Sequence, residues 1–202
     1  MQITSELQQA LLQMSVRLRE AGTCWLIGGS CGLLLQNVHL EAMPRDIDVY
    51  TDQIHTAKLH QLLSDRSTDR PAVSETDTYY SVLSHYDLHG YAVELVGGFK
   101  VRSQGSLYEV RVDRQLLPHA VEIELDSVRL PLMPLGHELV FNILRKRADR
   151  YEAIGSTMRK NLPAHVSLLQ QICNDNSLSA EHIRQIESLL GWQFAKDHYG
   201  SC

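Results

Sequence analysis

The chain has 202 residues, 44% hydrophobic and 21% charged, with a formal net charge of −5 and a sequence pI near 6.0. That length buries one good core, or one core plus a smaller helical unit. The acidic balance disfavours a protein built mainly to hold nucleic acid, which is ordinarily basic, and no apolar run approaches membrane-spanning length.

Cys24, Cys31, Cys173 and Cys202 form no CxxC pair, and no cysteine or histidine spacing marks a zinc cluster. Reduced thiols and a cytoplasmic location are expected. The opening MQITSELQQALLQM lacks a basic segment followed by an apolar one, so no secretory leader is expected.

In chain order, residues 4–21 read as an amphipathic helix, with Thr4 or Ser5 as its cap and Leu7, Leu11, Met14 and Leu18 at helical spacing. Trp25 to Ile27 reads as a buried strand. Gly28-Gly29 permits a sharp turn, and Ser30 is placed to cap a helix over 31–36. A loop follows to Arg45, with Pro44 holding Met43 extended. The alternation Asp46-Ile47-Asp48-Val49-Tyr50-Thr51 predicts a half-buried strand, and 53–63 a second helix. Residues 64–74 read as loop.

Residues 78–88 and 91–96 predict two strands joined at His89-Gly90, with Gly97-Gly98 ending the ladder. Further strands are expected over 107–112 and 121–130. After Pro134 the pattern turns helical, with helices over 136–150, 151–159, 164–173 and 179–190. The two prolines of LPLMP place a boundary near 131–135. The expected organisation is therefore an α/β domain over 1–133 and a helical C-terminal segment over 134–202.

The chemistry centres on Asp46 and Asp48. Two residues apart on a strand, their side chains leave the same face, with Cα atoms about 6.6 Å apart by strand rise. Carboxylates so placed can share Mg²⁺, which favours one or two carboxylates together with phosphate oxygens and water. Glu94, an acid inside the apolar run AVELV, needs a partner such as a metal. It is the best candidate for a third ligand or for a base toward an incoming hydroxyl. Upstream, a glycine turn between strand and helix presents backbone N–H groups suited to phosphate.

Taken together, Ile27-Gly28-Gly29-Ser30, Asp46-Ile47-Asp48 and Glu94 resemble the nucleotidyltransferase (DNA polymerase β-like) superfamily, over residues 4 to about 100. The chain looks most like small prokaryotic stand-alone members, the antibiotic nucleotidyltransferases and the nucleotidyltransferase toxins of abortive-infection systems. The resemblance implies a mixed α/β (α+β) sheet flanked by helices and followed by a helical segment. It also implies Mg²⁺-dependent transfer of a nucleoside monophosphate from an NTP to a hydroxyl acceptor. Asp46, Asp48 and Glu94 would hold metal, with Glu94 also the base. Gly28, Gly29 and Ser30 would cradle the triphosphate, helped by Arg45 and Lys100.

Two features depart from the family pattern. The third acid is Glu, not the commoner Asp. The helical Arg-x-Lys-Asp pattern of several members corresponds here to Lys146-Arg147-Ala148-Asp149, so phosphate contact from that stretch would fall to Lys146 or Arg147. A small-molecule acceptor fits the acidic composition better than nucleic acid, and a homodimer or protein partner is compatible. The rival readings are a catalytically silent member that binds a nucleotide or a protein, and a toxin that modifies tRNA.

Overall fold

The computed structural model describes residues 3–194. Cys202 lies outside them, so the reading of that thiol does too. The first helix, α1 (Ser5–Arg19), starts at Thr4, whose Oγ1 accepts the Leu7 N–H at 3.3 Å. Then come β1 (Leu26–Gly28), α2 (Gly29–Leu35), β2 (Asp46–Thr51), a 3-10 turn (Gln53–His55) and α3 (Thr56–Leu63). Next are β3 (Ala72–Glu75), β4 (Tyr79–Leu88), β5 (Tyr91–Ser103), β6 (Ser106–Glu109) and a π-helical turn (Val112–Leu116). The chain continues through β7 (Val121–Leu125), β8 (Val128–Leu132), α4 (Leu135–Leu144), α5 (Ala148–Met158), α6 (Pro163–Asp175) and α7 (Ala180–Leu190).

The strands form one mixed sheet in the order β3-β4-β5-β2-β1-β8-β7, with β6 paired to β5. Strand β2 runs parallel to β5 and antiparallel to β1, and β1 runs parallel to β8. Both faces are covered. On one, Leu7, Leu11, Met14 and Leu18 of α1 and Leu59 and Leu63 of α3 pack on Ile27, Ile47, Val49, Val93 and Leu95. On the other, Leu26, Tyr50, Val96, Val101 and Tyr108 share a core with α4 to α7. The period-2 alternation of β2 thus sends Ile47 and Val49 to one layer and Asp46, Asp48 and Tyr50 to the other. Helix α4 is buried on all sides, as expected of a helix wedged between a sheet and further helices.

Several boundaries differ from the sequence reading. Gly97-Gly98 does not end the ladder, and β5 runs on to Ser103. A Cβ at Gly97 would come within 2.0 Å of Thr56 Oγ1, so the glycine there serves a close approach inside a continuous strand. The expected loop over 64–74 contains the exposed edge strand β3. The stretch 121–130 is a hairpin, turned at Asp126 and Ser127 with φ of 46° and 65°. His89-Gly90 makes a like turn, with φ of 55° and 77°, at the hairpin expected there. The strand expected over 107–112 ends at Glu109, and the π-helical turn begins at Val112. The single helix expected over 136–150 is two, α4 and α5, separated by Lys146 at φ 58°. Gly28, not Ser30, stands at the α2 cap position, and Ser30 lies in the first turn. Among the described residues no helix is long and apolar enough to cross a membrane.

Candidate active site

The parallel register of β2 and β5 sets Asp48 directly opposite Glu94, and Asp46 opposite Ala92. The antiparallel register of β1 sets Gly28 opposite Asp48. Three elements therefore bring residues distant in the chain to one end of the sheet. There they line a cleft of about 330 Å³ with Gly29, Ser30, Asp46, Asp48, Glu94 and Glu138. Arg145, Arg147 and Arg150 form its basic side.

The acids interact strongly. Burial, with the Asp46 and Glu94 charges beside it, pushes the Asp48 carboxyl up to about 7. Burial and Asp46 also raise Glu94. Among the described residues none of the three forms an ion pair with Lys or Arg; Glu94 has His85, its Oε1 lying 3.9 Å from Nε2. A donor set of carboxylate oxygens gathered without a direct Lys or Arg ion pair fits a hard divalent cation.

The glycine turn is shaped by contact with these acids. Gly29 adopts φ +59°, and a Cβ there would lie 1.8 Å from Asp48 Oδ2. Its N–H donates to Glu138 Oε1 at 2.8 Å, so that donor is already engaged by a carboxylate. A Cβ at Gly28 would meet the Tyr50 ring at 2.8 Å and Glu138 Oε1 at 2.9 Å.

Of the remaining residues picked out in the sequence, Arg45 is exposed and does not line the cleft. Lys100 is bound to Glu109 at 2.6 Å, also outside the lining. Arg147 reaches the cleft wall while pairing with Asp149 at 2.7 Å. Lys146 occupies the turn and is not part of the wall.

Glu138 is not marked out in the sequence reading, and Arg145 and Arg150 figure there only within the basic run RKRADR, read as a solvated helix face. Glu138 carries the same signal as Glu94, an acid within an apolar run (GHELVF), and burial together with Asp48 pushes it up to about 8. Arg145 and Arg150 had no such signal. In one continuous helix, residues five apart point about 140° away from each other. The turn at Lys146 folds α5 back so that both side chains face the acids. The Arg145 guanidinium lies 4.8 Å over the Phe141 ring. The Arg150 Nη1 is shielded from solvent and has no hydrogen-bond partner among the described residues.

Comparison with known proteins agrees with this architecture. The family model for aminoglycoside-2''-adenylyltransferases matches residues 10–128, more than half of the chain and the segment that carries the glycine turn and all three acids. A nucleotidyltransferase assigned in Thermotoga maritima has a similar fold, with 22% identity and a TM-score of 0.63. The match covers 80% of this chain and 96% of that one. ANT(2'')-Ia, solved with adenylyl-2''-tobramycin, aligns at 10% identity with a TM-score of 0.47, over 82% of this chain and 98% of its own. A search of curated protein sequences returns no match. With a nucleotidyltransferase-type sheet and a family match spanning its acidic centre, the chain is an enzyme of the nucleotidyltransferase class and belongs to the aminoglycoside-2''-adenylyltransferase family.

Proposed function

We propose that the protein transfers AMP from ATP to a hydroxyl group of an aminoglycoside-like small molecule in the cytoplasm. The observation that carries this reading is the cleft itself, in which Asp46, Asp48 and Glu94 face Arg145, Arg147 and Arg150. A triphosphate needs both halves, cations along its oxygens and an acid at the attacking hydroxyl. A polycationic aminoglycoside suits a chain of net charge −5.

Asp46, Asp48 and Glu94 would hold Mg²⁺, which when bound neutralises phosphate charge. The chain's own groups do the rest. Arg145 and Arg150, with Arg147 beside them, bind and orient the triphosphate, and Gly29 and Ser30 line its floor. Gly28 lies outside the cleft lining and, by having no side chain, leaves room for the Tyr50 ring and the Glu138 carboxylate. Glu94 takes the proton of the acceptor hydroxyl. The hydroxyl oxygen bonds to the α-phosphorus as the bond to the bridging oxygen breaks, and pyrophosphate leaves. Arg45 and Lys100 take no part in this assignment, the first being exposed and the second held by Glu109. Asp46, Asp48 and Glu94 come from the 1–133 domain, and the start of the helical segment that follows supplies the basic wall.

The test is a mass-spectrometric assay of an aminoglycoside panel with ATP and Mg²⁺, on wild type and Asp48→Asn. A product heavier by one AMP, made by wild type and lost in Asp48→Asn, is expected. ATP binding without any adenylylated product across acceptor classes would overturn the reading in favour of a silent nucleotide-binding member.

A further inference from the structure

At the other end of β2 from the acids, about 13 Å from Asp48 by strand rise, lies a second group of ligand-bearing side chains. Asp52, His55 and Asp113 each direct one ligand atom so that all lie within 4.8 Å of one another. Among the described residues no other trio of His, Cys, Asp and Glu is so tightly gathered. The acids of the active-site cleft are more open.

The local structure explains the gathering. Asp52 precedes the 3-10 turn Gln53–His55, and the His55 N–H donates to the Asp52 carbonyl at 2.9 Å. Residues three apart on a 3-10 turn eclipse one another, so the carboxylate and the imidazole stack on one side. The Asp52 carboxylate then accepts the N–H groups of Val112 and Asp113, both at 2.9 Å, which draws the π-helical turn and the Asp113 side chain onto it. Cys24, two residues before β1, donates its thiol to Asp113 Oδ1 at 3.4 Å.

Two independent observations point to a ligand. The His55 Nε2 is shielded from solvent and has no hydrogen-bond partner among the described residues. An imidazole nitrogen so placed lacks a partner that a metal would provide. Among the described residues neither Asp52 nor Asp113 forms an ion pair with Lys or Arg, although both Asp52 oxygens accept backbone N–H groups. The donor set is an imidazole nitrogen with carboxylate oxygens, and the nitrogen favours a borderline transition metal over Mg²⁺.

We propose that Asp52, His55 and Asp113 form a zinc-type metal site separate from the catalytic acids, with Cys24 beside Asp113 but outside the trio. Tetrahedral zinc with bonds of about 2.0–2.1 Å sets its oxygen and nitrogen ligands roughly 3.3 Å apart. Asp113, being exposed, is free to close the remaining gap. The site ties the end of β2 to the turn leading into β7, so it braces the sheet without touching substrate. The sequence spacing conceals it, because its ligands lie at positions 52, 55 and 113.

The test is zinc binding by the full chain after chelator treatment, followed by calorimetry and metal analysis in excess Mg²⁺. Wild type and Asp48→Asn are each expected to hold one Zn²⁺. His55→Ala and Asp113→Asn should each weaken it by more than about tenfold. Asp113→Asn preserves size at an exposed position, so its loss of zinc cannot be put down to misfolding. Zinc raises the melting temperature of wild type and of Asp48→Asn but not of His55→Ala. Unchanged zinc affinity in both His55→Ala and Asp113→Asn, no zinc binding by wild type at tens of micromolar, or loss of the zinc in Asp48→Asn would overturn the proposal. None of these results bears on adenylyl transfer.

Discussion

Glu138 Oε1 accepts the Gly29 N–H at 2.8 Å, tying the buried helix α4 to the turn beneath Asp48. The bond sets a fully buried acid beside a second acid, and each makes the other's charge more costly. Burial and Asp48 push Glu138 up to about 8 from the usual 4.5, while burial, Asp46 and Glu94 push Asp48 up to about 7 from 3.8.

A pH dependence of stability follows. Both folded pKa values lie above their unfolded ones. Between about pH 4.5 and 8 the native state therefore binds more protons than the unfolded state, and stability falls as pH rises. The contribution is fully present below pH 4 and is lost as pH passes 7 to 8. In chelator, raising the pH from 6.5 to 8 should lower stability by about 1–2 kcal/mol. Glu138→Gln, which still accepts from Gly29, should flatten that slope and raise the melting temperature at pH 8. Thermal melts at several pH values decide it, and parallel curves for the two proteins would refute the assignment.

His137 contributes to the low-pH limb, beside carboxylates that their partners hold low. His137 is fully buried, its Nδ1 2.7 Å from the Tyr108 hydroxyl, and burial lowers it to about 3 from 6.5. Here the unfolded state binds the extra proton, so stability is lost as pH falls from 6.5 toward 3. His137→Phe should remove the His137 share of this acid sensitivity, at the cost of leaving the Tyr108 hydroxyl without its partner, about 1–3 kcal/mol. An acid-unfolding midpoint that stays put in His137→Phe would show that other groups govern that limb.

Gly29 is held to glycine by geometry. Its φ of +59° disfavours a side chain, and a Cβ would lie 1.8 Å from Asp48 Oδ2. Gly29→Ala should cost about 2–4 kcal/mol, combining strain and overpacking. Gly90→Ala makes the comparison, because Gly90 has φ +77° with nothing within 4 Å of a Cβ. It should cost only the backbone strain, about 1 kcal/mol. Denaturant melts of the pair separate crowding from φ, and equal losses would mean that the Asp48 contact does not matter.

How much of this could be read in the sequence depended on whether a signal was local. The alternation of Asp46 to Thr51 fixes which side chains share a face, so the two acids were legible without a fold. Glu94 was legible because an acid in an apolar run must have a partner, and Glu138 obeys the same logic within a helix. The pairing of Asp48 with Glu94 is a matter of parallel register, which no local pattern encodes. Arg145 and Arg150 converge only because Lys146 adopts a left-handed conformation, a choice that a run of good helix formers conceals. The Asp52, His55 and Asp113 group joins turns about 60 residues apart, as the Val112 N–H bond to Asp52 shows. For the same reason Gly97 looked like a strand end. Its glycine answers to Thr56 on another element, not to its neighbours in the chain.

Arg145 should act on nucleotide binding more than on chemistry. Its guanidinium lies over Phe141, facing the acids across the cleft. Losing a charge-assisted contact worth about 1.5–3 kcal/mol predicts that Arg145→Ala raises the KM for ATP roughly ten- to hundredfold. Arg145→Lys should recover only part of this, since lysine cannot keep the planar stack on the ring. Steady-state kinetics with ATP varied provides the check. A fall in kcat with KM unchanged would instead place Arg145 at the transition state.

Glu94 has the longest arm of the three acids. Glutamate has one more rotatable bond than aspartate, so something must fix its carboxylate. On the neighbouring strand β4, His85 is the register partner of Glu94. Asp69 holds His85 at two points, accepting its backbone N–H at 2.7 Å and lying 2.5 Å from Nδ1. The other ring nitrogen, Nε2, is left 3.9 Å from Glu94 Oε1. All three side chains are partly exposed, so the ion pairs add little to stability, and the expected effect is on geometry. His85→Ala should lower kcat about tenfold and leave the KM for ATP within about twofold, as a misplaced base would. In the Glu94→Asp background, where the shorter arm no longer reaches the ring, the same His85→Ala change should cost almost nothing. A double-mutant cycle on kcat measures this directly. Strict additivity of the two substitutions would mean that His85 does not position Glu94.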